Sequence, residues 1–403
     1  MYQPSPEILK KYADLMIKYA LWWWRWCQPG ETVMLNVPEC AKPMIAPLQQ
    51  AVLECGWHPL ISYIPDGVDI NFYEHANDEQ LAYVPHHRMM WTLDDVTHTI
   101  RVLAEYDKHA HDHISSEKLM IWLKAKQPYS KIMLERSDRR EMFWTLFLYG
   151  TPAMAEEANM TLEEYRAQII KACHLDQEDP IAAQKITDAN ILTIQTWLNS
   201  MSMKSVHMVG DDCDITIKLW ANRKWLAGRW HNIPSFEHFV SPDYRWTHGW
   251  IKFNQPIYRY NKLIKWVELT FANGQITQAS ATHNEQALLD MIAVPWANQL
   301  GEYSITDRRI SRIDRYMGEI LYDENIGWPY CNTHVAIGSS YRESYRGDDY
   351  DTLTESDRES LGFNESAVHT DIMSTTDRTV IATLSDGSQV VIYKDGEFQV
   401  ELL

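Results

Sequence analysis

The fold class is decided by residues 32–64, which read TVMLNVPECAKPMIAPLQQAVLECGWHPLISYI. The stretch opens with a short apolar run over 32–37 that has the composition of a β-strand. A helical pattern follows over 41–55 and ends near Gly56, and a second strand-like run covers 59–64. Strand, helix and strand at this spacing are typical of a βαβ unit, so we predict a parallel sheet covered by helices.

Helical patterns surround this unit in the N-terminal half of the chain. Ser5-Pro6-Glu7 supplies an N-cap, a proline at the first helical position and an early acid. Residues 93–106 have a helix-like pattern, Thr161-Leu162-Glu163-Glu164 matches a capping box, and helical character continues over 181–197. No GxGxxG motif follows the first strand, so the sequence does not predict a dinucleotide site.

The pattern changes to β-structure in the second half. Ile215 and Ile217 alternate with polar residues, as in a half-buried strand. Hairpin turns are indicated at Asn273-Gly274, Asp386-Gly387 and Asp395-Gly396. The sequence therefore predicts an antiparallel, β-rich second half.

These patterns predict an α/β protein of two domains. Residues 1–200 form an N-terminal α/β domain with a mainly parallel sheet. Residues 201–403 form a β-rich, barrel-like α+β domain, which is also expected to bind metal for reasons given below.

Composition and charge exclude several classes of partner. The chain has 37 Lys and Arg against 55 Asp and Glu, a formal net charge of -18. Because nucleic acids and anionic membranes attract clustered positive charge, we expect neither as a partner. The six cysteines are scattered without a CxxC pair, which argues against a disulfide scaffold or a cysteine-based zinc site.

The sequence shows no targeting or membrane segment. The Trp-rich cluster at 21–27 is too short for a membrane span and contains Arg25. The N-terminus lacks a basic region followed by an apolar run. We therefore expect a cytoplasmic protein.

Two groups of residues could bind a metal ion. His109, His111 and His113 recur at every second position, but the segment is polar, and a solvated loop is the favoured interpretation. His369 and Asp371 would point the same way on a strand, and such a pair suits Zn, Mn, Co or Fe. An HxD motif alone arises often by chance.

Other candidate ligands are scattered through the β-rich half, and each alone is better interpreted as a surface residue. Together they match a family in order and approximate spacing. The matching segments are Asn232-Ile233-Pro234-Ser235-Phe236-Glu237, Leu300-Gly301-Glu302, Leu321-Tyr322-Asp323-Glu324-Asn325, His334-Val335-Ala336-Ile337-Gly338-Ser339-Ser340-Tyr341 and Asn364-Glu365-Ser366-Ala367-Val368-His369-Thr370-Asp371-Ile372-Met373.

These segments resemble the thermophilic metallo-aminopeptidases, the group of aminopeptidase T, aminopeptidase S and PepS. The resemblance spans most of the chain and is weakest around 85–150. It implies a homodimer that removes the N-terminal residue from peptide substrates with two divalent metal ions, Zn, Co or Mn. The implied metal ligands are Glu237, Glu302, His334, His369 and Asp371.

The resemblance also implies roles for individual residues. Glu302 is expected to bridge the two ions. Glu324 falls at a position that is a further ligand or an acid/base group, and Tyr341 matches a tyrosine implicated in catalysis. A tyrosine hydroxyl donates to a developing oxyanion, and a carboxyl group transfers a proton to the leaving amine.

Two departures from the family pattern affect the expected substrate. Residues 326–333 are extra, and they place Trp328 and Tyr330 beside the site. Phe236 replaces the first acid of the usual Glu-Glu pair. Two alternatives therefore stay open. One is a mononuclear iron(II) ring-cleaving dioxygenase of related fold, and the other is a peptide-modifying or peptide-binding relative in a biosynthetic pathway.

Overall fold

The computed structural model describes residues 4–21, 29–219, 222–259, 262–347, 350 and 353–403. The chain divides into two compact units, Met1–Gln184 with Arg229–Pro234, and Lys185–Gly228 with Ser235–Leu403. The predicted domain ranges 1–200 and 201–403 stay predictions. The Trp-rich cluster predicted at 21–27 lies, except for Leu21, outside the described residues.

The strands, in chain order, are β1 (Thr32–Pro38), β2 (His58–Ile64), β3 (His98–Leu103), β4 (Phe143–Leu148), β5 (Met203–Gly210), β6 (Cys213–Lys218), β7 (Leu226–Ala227), β8 (Asn232–Ile233), β9 (Glu237–Val240), β10 (His248–Lys252), β11 (Ile257–Arg259), β12 (Lys262–Ile264), β13 (Glu268–Ala272), β14 (Gln275–Ser280), β15 (Leu300–Thr306), β16 (Thr333–Gly338), β17 (His369–Ser374), β18 (Arg378–Leu384), β19 (Gln389–Lys394) and β20 (Glu397–Phe398).

The α-helices are α1 (Pro6–Asp14), α2 (Ile45–Glu54), α3 (Val68–His75), α4 (Asp78–Ala82), α5 (His86–Asp95), α6 (Ser116–Asp138), α7 (Pro152–Glu157), α8 (Leu162–Ala172), α9 (Pro180–Ser200), α10 (Glu285–Ile292), α11 (Ile320–Asp323) and α12 (Glu355–Leu361). A π-helical segment (Leu15–Leu21) continues α1, and short 3-10 turns cover Glu39–Met44, Tyr244–Trp246 and Arg342–Ser344. None of the helices in the described ranges is long and apolar enough to cross a membrane.

The first unit contains the predicted parallel sheet. Its five strands have the order β2-β1-β3-β4-β8, and every neighbouring pair is parallel. Val33, Leu35 and Val37 of β1 are fully buried, as their alternation requires. The βαβ prediction for residues 32–64 is confirmed.

The helix-like interpretation of residues 93–106 is wrong. Helix α5 ends at Asp95, and β3 then enters the sheet between β1 and β4. His98, Ile100 and Val102 are buried at period two, which is a strand pattern. The strand is only six residues long, so its period is easily confused with the end of the preceding helix.

The predicted helix starts are confirmed. Ser5 caps α1, with a proline in the first turn. The Thr161 hydroxyl and the Glu164 carboxylate form the reciprocal capping box of α8.

The second unit is built from antiparallel sheets. An eight-stranded sheet has the order β14-β13-β10-β6-β5-β18-β19-β20, and a five-stranded sheet has the order β17-β16-β15-β9-β7. The turn at Asn273-Gly274 joins β13 to β14, and Asp386-Gly387 and Asp395-Gly396 lie between the C-terminal strands. Tyr303 on β15 donates to the sulfur of Met208 on β5 at 3.8 Å. The five-stranded sheet carries the candidate site.

Candidate metal centre

The neighbouring strands β15 and β16 of the five-stranded sheet bring Glu302 and His334 to the same face. His334 on β16 lies opposite Ser304 on β15, and Ala336 lies opposite Glu302. Opposite residues share a face, and side chains two positions apart along a strand return to that face. Glu302, Ser304 and His334 therefore project from one face of the sheet.

The same register places the other three candidate ligands on that face. Thr306, which is two residues beyond Ser304, lies opposite Glu237 on β9. Asp371 on β17 lies opposite Ala336, and His369 precedes it by two. The five side chains that the sequence predicted as ligands are thus gathered by strand pairing alone.

The gathered side chains form two overlapping groups. Glu237, Glu302 and His334 have donor atoms within 4.8 Å of one another, and so do Glu302, His369 and Asp371. His334 Nε2 lies 3.6 Å from Glu237 Oε2 and 3.9 Å from Glu302 Oε1. Glu302 belongs to both groups, as a bridging carboxylate would.

The second group is more compact. His369 Nε2 lies 3.1 Å from Glu302 Oε2 and 3.5 Å from Asp371 Oδ1. His369 Nδ1 lies 2.8 Å from the carbonyl oxygen of Ser339, to which it donates when it carries the hydrogen. That hydrogen bond leaves Nε2 as the nitrogen able to bind a metal.

Neighbouring residues hold the acids in place. The Ser304 hydroxyl donates to Glu237 Oε2 at 2.9 Å. At Gly301, β15 lies very close to the backbone at the end of β16. A Cβ at Gly301 would clash with the carbonyl oxygens of Gly338 and Ser339. Glycine at position 301 therefore allows Glu302 to lie close to Ser339, whose carbonyl oxygen orients His369.

Burial and crowding of like charges perturb the acids. Burial and the Glu302 carboxylate raise the pKa of Glu237 from 4.5 to about 7. Burial, followed by the charge of Glu237, raises the pKa of Glu324 well above its ordinary value. Burial works against ionisation of Asp371, but the hydrogen bond and charge of His369 hold its pKa below the usual range.

The surrounding carboxylates raise the pKa values of both histidines. Burial lowers the pKa of a histidine, but hydrogen bonds with Asp371 and Glu302 outweigh it and raise the pKa of His369 well above 6.5. The nearby Glu302 carboxylate likewise outweighs burial and raises the pKa of His334. The cluster thus binds positive charge strongly.

The donor set fits divalent metal ions. It combines three buried or nearly buried carboxylates with two imidazoles, and these are the ligand types that Zn, Co and Mn bind. His334 Nε2 is buried among the acids without a hydrogen-bond partner. Burying a polar atom without a hydrogen-bond partner costs free energy unless a metal ion or another ligand binds that atom.

Glu324 and Tyr341 lie at the cluster but outside both groups. Glu324 follows α11, is buried, and is close enough for the cluster acids to shift its pKa. The Tyr341 ring packs edge-on against His369, with ring centroids 4.9 Å apart, and 39% of the residue is exposed. Burial of the hydroxyl and the charge of Glu302 raise the pKa of Tyr341 well above 10.

Sequence reasoning missed two residues beside the ligands, Ser304 and Asn332. Asn332 Nδ2 lies 2.7 Å from His334 Nδ1. The sequence could have indicated both residues. Each lies two positions from a candidate ligand on extended chain, as His369 does from Asp371, and so shares a face with that ligand.

The histidine-rich segment forms a turn-rich loop, as predicted. The three histidines pair with different acids: His109 with Asp112 and Glu157, His111 with Asp69, and His113 with Glu74. Across the described ranges, these residues do not form a group of three donors close enough for one metal ion.

Three carboxylates and two imidazoles on one sheet face suit the metal ions of a metal-dependent hydrolase. The chain belongs to the thermophilic metalloprotease (M29) family, whose profile matches residues 5–398. The resemblance inferred from the five sequence segments is thereby confirmed.

Individual relatives align along nearly the whole chain. Aminopeptidase PepS of Streptococcus thermophilus is 24% identical over 418 residues, which covers 98% of each protein. The solved structure of wild-type AmpT from Thermus thermophilus matches with a TM-score of 0.84 at 21% identity, covering 98% of this chain and 99% of that one. A 2,5-dihydroxypyridine dioxygenase from Pseudomonas putida shares the fold more distantly, with a TM-score of 0.54 at 12% identity and 99% of each chain covered.

Proposed function

We propose that this protein is a metal-dependent aminopeptidase that hydrolyses the N-terminal residue from peptides. In this proposal Glu237, Glu302, His334, His369 and Asp371 hold two divalent ions, Zn, Co or Mn. The observation that carries the proposal is the pair of donor groups that share Glu302, in a chain of the metalloprotease family. The aminopeptidase relatives supply the substrate class.

The chemistry needs an activated water and a stabilised oxyanion. Divalent ions lower the pKa of bound water from ~15.7 toward ~7, so hydroxide becomes available near neutral pH. Glu324, a buried carboxyl group beside the cluster acids, would carry a proton to the leaving amine. The Tyr341 hydroxyl, which stays protonated, would donate to the developing oxyanion.

The acidic cluster also explains selectivity for a free N-terminus. A substrate ammonium group is attracted to surplus carboxylate charge, whereas an acylated amine is not. Internal peptide bonds lack this group. The proposal therefore predicts that N-acetylated substrates are not cleaved.

The test is turnover of a panel of aminoacyl-p-nitroanilides by the purified chain with added Zn, Co or Mn. We expect metal-dependent release of p-nitroaniline that chelation abolishes and N-acetylation of the substrate prevents. Glu401→Gln, an exposed acid in the C-terminal segment, is the control variant and should retain full activity. Absence of turnover with every metal would contradict the proposal.

The fold likeness to the dioxygenase supports a second candidate, a ring-cleaving iron(II) enzyme. The two candidates differ in their use of Glu237 and Tyr341, since a mononuclear site does not need both. Oxygen consumption with 2,5-dihydroxypyridine and iron(II), without peptide turnover, would favour the dioxygenase.

The assembly and location are finer parts of the proposal. We propose a homodimer, and light scattering of the eluting peak should give twice the chain mass of 47.2 kDa. A peak at the monomer mass would contradict it. The cytoplasmic location stays a prediction.

A further inference from the structure

Arg259 lies beside the candidate metal centre without being one of its candidate ligands. It ends β11, and its Nη2 donates to the main-chain oxygen of His369 at 3.0 Å. Strand β17, which begins at His369, forms an edge of the five-stranded sheet, so the carbonyl groups on its outer side have no neighbouring strand. The guanidinium group is therefore one side chain away from the atoms with which His369 would bind a metal ion.

The positive charge of Arg259 reaches the acids of the site. Burial opposes ionisation of Asp371, and the hydrogen bond and charge of His369 do most to hold its pKa below the usual range. The charge of Arg259 contributes to the same shift, after that of His334. A permanent cation thus stands at the end of the acidic cluster formed by His369 and Asp371.

The hydrogen-bonding capacity of this guanidinium is only partly used. A guanidinium group carries five N–H donors, and one donor is enough to cap a carbonyl oxygen. The Nε atom of Arg259 is buried and has no hydrogen-bond partner. Within the described ranges, no carboxylate forms an ion pair with Arg259. The arginine therefore still lacks an anionic acceptor, which is the partner that a partly buried guanidinium favours.

A peptide substrate supplies such an acceptor in the form of a carboxylate. Guanidinium and carboxylate groups match in shape and form two parallel hydrogen bonds, for which Nε can be one donor. The two ends of an extended dipeptide are separated by about 7 Å, so a short peptide can place its ammonium group among the acids and its carboxylate near the same strand end.

We propose that Arg259 is a substrate-binding residue that pairs with a carboxylate of the peptide. The carboxylate is either the C-terminal group of a short peptide or the acidic side chain of the residue that is removed. This inference rests on the proposed function and adds a substrate preference that the metal ligands do not supply. In a purely structural role, Arg259 would only cap the edge carbonyl of His369.

The test measures cleavage of two matched substrate pairs by the full chain with added Zn, Co or Mn. Leucylglycine and leucylglycinamide differ in a C-terminal carboxylate, and glutamyl-p-nitroanilide and glutaminyl-p-nitroanilide differ in a side-chain carboxylate. We expect kcat/KM to be about 10- to 100-fold higher for the carboxylate member of one pair, mainly through KM, which is the scale of a hydrogen bond to a charged group. The pair that shows the preference identifies the source of the carboxylate.

Three variants assign the preference to one residue. Arg259→Gln keeps an amide donor but carries no charge, so the preference should disappear. Arg259→Lys keeps the charge without the planar fork and should retain part of the preference. Lys262→Gln is the matched control, because Lys262 is exposed and lies opposite Arg259 in the hairpin of β11 and β12. The control should keep the full preference, and the metal content of all three variants should equal that of the unmodified chain.

The outcomes separate this inference from the proposed function. If the unmodified chain cleaves none of the four substrates with any metal, both fail. If it cleaves them without preference for a carboxylate in either pair, or if Arg259→Gln retains the preference, only the role of Arg259 is overturned. Equal loss of the preference in Lys262→Gln would also overturn it. A residue that only caps β17 would change the cleavage of both members of a pair by the same factor.

Discussion

At the scale of single residues, Glu302 is the candidate ligand that belongs to both donor groups. It lies on the central strand of the sheet, and it contacts His334 and His369 from opposite oxygens. The other four candidate ligands each serve one group. Loss of Glu302 should therefore affect both metal positions, whereas loss of another ligand should affect chiefly one.

Tyr341 provides a test of catalytic role that is separate from metal binding. Tyr341→Phe removes only a hydroxyl and leaves the ring packed against His369 and Phe239. We expect metal content to persist while kcat falls about 100-fold, the scale for one lost oxyanion donor. His369→Ala should instead deplete metal. Near-full turnover of Tyr341→Phe with metal bound would show that the tyrosine only packs beside the site.

The raised pKa of Glu237 predicts how the metal-free protein responds to pH. The folded chain keeps a proton that the unfolded chain releases near pH 4.5, so the free energy of unfolding falls as pH rises from 4.5 to about 7. One full proton corresponds to about 1.4 kcal/mol per pH unit. The raised pKa values of His334 and His369 act with the same sign above pH 6.5.

Urea denaturation at pH 5, 6 and 7 with a chelator measures this effect. Glu237→Gln removes the titrating group and should flatten the fall between pH 5 and 7. Glu401→Gln should leave the slope unchanged. Parallel pH profiles for Glu237→Gln and the unmodified chain would show that Glu237 has an ordinary pKa.

At the scale of elements, the position of β15 depends on Gly301. An added methyl group would meet the carbonyl oxygens of Gly338 and Ser339, and the latter is the atom that His369 Nδ1 bonds. Gly301→Ala should cost about 1–3 kcal/mol through overpacking and should also weaken metal binding at the His369 group. Ser280→Ala, an exposed site on β14, is the control. Unchanged melting temperature and metal affinity in Gly301→Ala would contradict this account.

Several elements could be predicted from local patterns. Alternation and apolar runs marked β1, β2 and β6, and capping residues marked α1 and α8. Strand β3 was missed because six residues beside a helix give too few repeats to separate two periods. Local pattern therefore identified these elements, but it did not identify the 23-residue helix α6, although Ser115 caps it.

The site was predictable as a set of residues but not as an arrangement. His369 and Asp371 share a face by sequence spacing. Glu237, Glu302 and His334 meet only through the register of two strand pairs, β9 with β15 and β15 with β16, and the pair of β16 with β17 brings them to His369 and Asp371. Register depends on tertiary pairing, which local sequence does not encode. The contact of Asn332 with His334 was missed because it depends on how the segment between α11 and β16 folds.

At the scale of the whole molecule, the excess of acidic residues agrees with the chemistry of the site. The net charge of -18 attracts cations and a substrate ammonium group, and it repels polyanions. The segment between α11 and β16 carries an exposed Trp328, with 62% of its surface accessible, and a partly exposed Tyr330. These aromatic side chains are the first place to look for differences in substrate preference from the relatives.

The central claim, a two-ion site bridged by Glu302, is tested most directly by counting bound metal. Metal-free chain is titrated with Zn²⁺ and assayed in parallel for release of p-nitroaniline from an aminoacyl-p-nitroanilide. We predict two ions per chain, with turnover appearing as they bind, and loss of both ions and of turnover in Glu302→Gln but not in Glu401→Gln. Two tightly bound ions and full turnover in Glu302→Gln would contradict the account.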